Sequence, residues 1–245
     1  LVFLITSFGF GQVTYNGNGN NGFGEAVGES TLEFNDNGTT VTVTFTKGSG
    51  DFNDNMVMYI DNGSNGRSII DNNVNDQDDA NRRAISSAGT NTSDITLPTG
   101  FEATHAVAIE VGFGGLWSIP STGTIGDDGL VFIDGVGNPA SNTSASFTFS
   151  FDWSEIGLTG SDDFKFLITY LNGGNGDLSN EGYGDGLPGT NPGASNVTFD
   201  TYFEYPSGDK GGLAKTTSTG NWSSASTWTN GNVPLDGDEV EISYD

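Results

Sequence analysis

Thr40-Val-Thr-Val-Thr-Phe-Thr46 alternates without a break: Val41, Val43 and Phe45 fall on one side of an extended chain and threonines on the other. Successive side chains of a strand point to opposite faces, so this stretch predicts a half-buried β-strand. The same period of two recurs at Phe147, Phe149, Phe151 and Trp153, with Thr148, Ser150 and Asp152 opposite. It returns at Phe164, Phe166, Ile168 and Tyr170, and once more at Val197, Phe199, Thr201, Phe203 and Tyr205. Met56-Val-Met-Tyr-Ile60 is apolar on both faces and suits a central strand, and Thr104–Val111 and Gly129–Ile133 add two more.

Asn37-Gly38, Asn62-Gly63 and Asp128-Gly129 separate these runs and supply the positive φ values of tight turns. Only Asp76–Ser87 has room for a helical turn or two. The expected fold is all-β: an antiparallel, jelly-roll-like β-sandwich of two sheets packed face to face.

Composition narrows the function. Among 245 residues there are 32 acidic and 7 basic side chains, a net charge of −25. Such a surface repels phosphate backbones and anionic lipid headgroups, so nucleic acid and membrane surfaces are poor partners. Thirty-three per cent hydrophobic residues, 17 of the chain's residues being Phe, are enough for a packed core despite 38 glycines. The absence of cysteine excludes disulfides, zinc–thiolate sites, iron–sulfur clusters and thiol catalysis, and a single His makes any triad depend on one position.

The ends divide the chain further. Leu1-Val-Phe-Leu-Ile-Thr-Ser-Phe-Gly-Phe10 is too short to span a membrane and reads as the h-region of a clipped signal peptide, residues 1–12. A buried first strand is the alternative. Residues 13–206 make the sandwich, 207–213 a Gly-rich linker, and 214–245 the opening of a second β domain that cannot bury a core by itself.

Chemistry-bearing motifs are sparse. Gly17-Asn-Gly-Asn-Asn-Gly22 matches the dinucleotide fingerprint in letters, but no helix follows to meet a pyrophosphate. Asp71-Asn-Asn-Val-Asn-Asp-Gln-Asp-Asp79 concentrates the oxygen ligands that hard cations take. It departs from the EF-hand, with Asp76 where the turn glycine belongs and Arg82 where the bidentate Glu belongs. Two readings stand: calcium held by Asp71, Asn73, Asp76, Asp78 and Asp79 in another kind of loop, or a solvated acidic loop neutralised by Arg82 and Arg83. Asp51, Asp54 and Asp61 around the central strand are open to the same pair of readings.

His105 shares the apolar face of Val107, Ile109 and Val111 and reads as a strand residue rather than a catalyst. Glu110, Asp152 and Glu155 lack the diagnostic spacing of a glycosidase pair. Trp117 and Tyr183 sit in Gly-rich loops rather than alternating strands, as rings offered to a sugar face or as caps of the sandwich core.

Ser146–Trp153, Gly157-Leu158, Asp163–Tyr170, Leu178-Ser-Asn-Glu181 and Asn191-Pro-Gly193, with Met56–Asp61, resemble a β-sandwich module of flavobacterial secreted proteins. More broadly, residues 13–206 are similar to the DOMON and family 9 carbohydrate-binding sandwiches. The resemblance implies a module that binds sugars, haem or calcium; no haem ligand is matched here, so the architecture alone carries over. Asn221-Trp222, Thr227-Trp228, Val233-Pro234 and Gly237–Ile242 resemble the start of eight-glycine-type and related β-helix domains. In Bacteroidetes these belong to surface proteins exported by the type IX system.

The expected function is a non-catalytic, secreted or cell-surface binding module directed at polysaccharide, with Trp117 and Tyr183 as ligand rings and calcium as a cofactor. A structural or adhesive spacer is the alternative, and an enzyme the third.

Overall fold

A computed structural model describes residues 13–205, together with 214–215 and 240–241. The segments read as leader remnant and linker, and Trp222 and Trp228 of the proposed second domain, lie outside the described residues.

In chain order the elements are β1 (Val13–Asn16), β2 (Thr31–Asp36), β3 (Thr40–Thr46), β4 (Asn55–Asp61), β5 (Ile69–Ile70), helix α1 (Ala80–Ser86), β6 (Ile95–Thr96), β7 (His105–Glu110) and β8 (Phe113–Ser118). They continue as β9 (Val131–Gly135), β10 (Ser146–Asp152), a 3-10 turn (Trp153–Ile156), β11 (Phe164–Leu171), β12 (Leu178–Tyr183), β13 (Val197–Thr198) and β14 (Phe203–Tyr205). A short parallel pair, β15 (Ala214–Lys215) with β16 (Val240–Glu241), completes the described elements.

The fold is an all-β, antiparallel sandwich. One sheet runs β1-β2-β3-β10; the other runs β12-β11-β4-β7-β8-β9, with β14 also pairing β11. β14 takes the Phe164–Phe166 half of that edge and β12 the Ile168–Leu171 half. Between the sheets lie the predicted alternating faces: Val41, Val43, Phe45, Phe147, Phe149 and Phe151 against Met56, Met58, Ile60, Phe164, Phe166 and Ile168. Each such side chain, fully buried, contributes about 1.5–3 kcal/mol. Threonines of β3 and β10 form the solvent face, where Thr44 and Thr148 lie 3.4 Å apart.

Two features differ from the two-layer expectation. The second sheet is covered on its other face as well: Val57, Tyr59, Ala106, Ala108, Trp117 and Leu167 form a separate core with α1 and the small sheet β13-β6-β5. This third layer is why β4 is buried along its whole length. The expected strand from Val197 to Tyr205 is two pieces, because β13 joins the outer layer and β14 the edge of β11. Phe199 therefore packs in the outer core and Tyr205 in the inner one.

Polar bonds close the sandwich. Tyr205 Oη donates to Asp36 Oδ2 across the sheets at 2.7 Å. On the opposite side, the Val136 N–H donates to Gly114 O at 3.0 Å and its carbonyl accepts from Ser150 N–H at 2.8 Å, linking β8 to β10.

Candidate functional site

On the outer face of the second sheet, β7 turns into β8 through Val111 and Gly112, whose φ of +99° suits glycine. The turn brings Phe113 beside Phe132 of the edge strand β9: the rings are 6.3 Å apart at 29°. Phe113 is 45% exposed and Phe132 46%, flanked by Val111 and Val131, and these are the exposed large hydrophobics among the described residues. Trp117 lies beneath, edge-on to both at 6.3 and 5.6 Å. Gly115 makes room for it; a Cβ there would come within 2.6 Å of the indole and 3.0 Å of Phe132.

Trp117 is thus strand-borne and 1% exposed, with no ring face for a sugar. Tyr183 is also corrected: it ends β12, fully buried in the inner core, its hydroxyl 2.7 Å from Ser30 Oγ. Burial raises its phenol well above the usual range. In both cases the glycines reflect close packing of strands rather than an exposed loop.

The expected calcium ligands separate. Asp76 is sealed from solvent; its Oδ2 accepts from Arg82 Nη1 at 2.7 Å and from the Leu130 N–H at 3.0 Å. Asp79 caps α1 by accepting from the Arg82 N–H at 2.8 Å, and sits 3.3 Å from Arg82 Nε. Asp71 turns back on Asn73, accepting its N–H at 2.9 Å. What remains is Asp76 with Asp78 and a residue the sequence reading did not include, Asp127: one carboxylate oxygen from each falls within 4.8 Å of the others. A hydrogen bond with Asp128 is the main cause holding the Asp78 carboxyl above its usual value, followed by burial and the charges of Asp128, Asp127 and Asp76. Asp127 and Asp128 belong to the turn that leads through Leu130 into Val131 and Phe132, which places the acidic group next to the aromatic pair along the chain.

Other acidic candidates have structural partners. Thr40 Oγ1 donates to Asp152 at 2.6 Å, and Glu155 accepts the Asp152 N–H at 2.7 Å at the start of the 3-10 turn. Asp61 accepts the N–H groups of Gly63 and Glu102 at 2.8 and 3.1 Å. Lys165 beside it donates to Gly100 O at 2.6 Å and stands 5.0 Å over the Tyr202 ring. Cavities of about 200 and 250 Å3 meet at this Asp61–Lys165 corner.

Glu110, at the end of β7, has its carboxyl raised mainly by burial, then by the charge of Asp79 and against that of Arg83.

The segment that follows the fingerprint-like motif, residues 23–28, wraps a side chain of its own chain. Glu181 of β12 is fully buried, and its carboxylate accepts four main-chain N–H groups: Phe23 at 2.5 Å, Glu25 at 3.2 Å, Val27 at 2.8 Å and Gly28 at 3.0 Å.

No family model, curated protein or solved structure matches this chain. The functional reading therefore rests on the site's own chemistry.

Proposed function

We propose that residues 13–205 are a non-catalytic carbohydrate-binding module of a secreted or cell-surface protein. Its ligand surface is the Phe113–Phe132 face of β8 and β9, with Asp127 in the turn that leads into β9. The observation that carries this reading is the exposed, nearly parallel ring pair wedged on a buried tryptophan. Exposed apolar surface of this kind marks interaction sites, and a strand-borne site is held more rigidly than a loop. The rings offer apolar surface to the C–H face of a pyranose.

A net charge of −25 disfavours sulfated or uronic chains, so the ligand is a neutral polysaccharide. Calcium would be held by Asp76, Asp78 and Asp127, hard oxygen donors with one carboxylate oxygen each within 4.8 Å of the others, in competition with Arg82 for Asp76. Bound there, it would supply charge neutralisation for the turn ahead of Phe132. The test is retardation in a gel containing neutral polysaccharide, with the ring variants run alongside. No retardation on any neutral glycan would instead favour a spacer, and released sugar products would indicate an enzyme.

A further inference from the structure

Asn-Gly pairs recur at positions 16–17, 18–19, 21–22, 37–38, 62–63, 65–66, 172–173 and 175–176 of the described chain. Asn followed by glycine is the sequence most prone to spontaneous loss of the side-chain amide, because no Cβ hinders attack by the following main-chain nitrogen. That nitrogen must first give up its proton, so an N–H already donating to an acceptor is protected. Almost every glycine in this set is protected. Gly38 donates to Asp36 at 2.8 Å, Gly63 to Asp61 at 2.8 Å and Gly66 to Glu102 at 2.9 Å. Gly17 donates to Ser30 O at 3.0 Å, Gly19 to Gly28 O at 2.8 Å and Gly176 to Asn172 O at 2.7 Å. Gly173 donates to Asn55 Oδ1 at 3.2 Å.

Gly22 is the exception. Its N–H has no acceptor among the described residues, and the side chain of Asn21 is exposed and equally without a partner there. We infer that Asn21-Gly22 is a spontaneous modification site, the first place at which this chain converts asparagine to aspartate and isoaspartate. Water takes the Gly22 amide proton, and the nitrogen forms a bond to Asn21 Cγ. The Cγ–Nδ2 bond breaks, and ammonia leaves with the displaced proton. Water then opens the cyclic imide at either carbonyl. One water is consumed and one ammonia released, with no change of oxidation state. The isoaspartyl product lengthens the main chain by a methylene just before Gly22, one residue ahead of Phe23, whose N–H donates to Glu181.

The test is peptide mapping by mass spectrometry of the full chain, aged in warm, mildly alkaline buffer, folded and in concentrated urea. In the folded protein Asn21 should convert about tenfold faster than any other of these asparagines, the factor one hydrogen bond worth about 1.4 kcal/mol confers. In urea the spread should collapse. Asn21→Ser, an exposed substitution, should remove the first acidic species. Equal rates across the folded set, another site reacting first, or persistence of that species in Asn21→Ser would overturn the assignment.

Discussion

Phe132 meets Trp117 edge to face at 5.6 Å and 69°, one residue half exposed and the other buried beneath it. On the proposed reading, the pair separates recognition from stability. Trp117→Ala should cost about 3–5 kcal/mol, the usual penalty for removing a buried aromatic ring. Phe132→Ala should cost about 1 kcal/mol or less, because its ring is half exposed. Urea unfolding of both variants checks the difference.

Glu181 gathers residues 23–28 through four main-chain N–H groups. Glu181→Gln keeps one acceptor oxygen and turns an NH2 group toward donors that need an acceptor. The expected loss is about 2–3 kcal/mol, with the cost of unpaired buried donors dominating. Hydrogen exchange should show residues 23–28 opening first, and uniform loosening across the sandwich would argue against a local cage.

The alternating strands were legible because each has one core face, as in Val41, Val43 and Phe45. Burial of β4 on both faces was legible too, from Met56–Ile60. The third layer was not, since its members are isolated apolar residues such as Val74, Ile125 and Leu130 in polar loops without a period. Trp117 and Tyr183 drew notice through neighbouring glycines, but glycine marks close packing as readily as an open loop. Phe132 lies in Leu130-Val-Phe-Ile133, a run whose order does not reveal which side faces water. Asp127 was out of reach, because it meets Asp76 only through the tertiary fold.

His105 is pushed down to about 4 by burial, from 6.5. A group whose folded value is lowered stays neutral in the fold while the unfolded chain takes up a proton. Its contribution is complete above pH 6.5 and is lost as the pH falls toward about 4. Between about pH 7 and about pH 5 the wild type should lose about 1–2 kcal/mol more than His105→Gln. Equal losses in urea titrations would place the acid sensitivity elsewhere.

Calcium at the Asp76–Asp78–Asp127 group should raise the melting temperature, by the equivalent of about 2.7 kcal/mol at a hundredfold excess over Kd. Binding needs these carboxylates ionised, so the response should weaken in acid. Asp127→Asn should abolish the response. Identical melting in calcium and in excess chelator at equal ionic strength would leave the loop merely solvated.

The most direct measurement is affinity electrophoresis of the full chain through gels containing neutral polysaccharide, comparing wild type with Phe113→Ala, Phe132→Ala and Tyr202→Ala. Wild type and Tyr202→Ala, whose ring lies at the separate Lys165 corner, should be retarded alike, and the two Phe variants should migrate as in gels without glycan. Retardation that survives loss of both Phe113 and Phe132, or its absence in the wild type on every neutral glycan, would contradict the account.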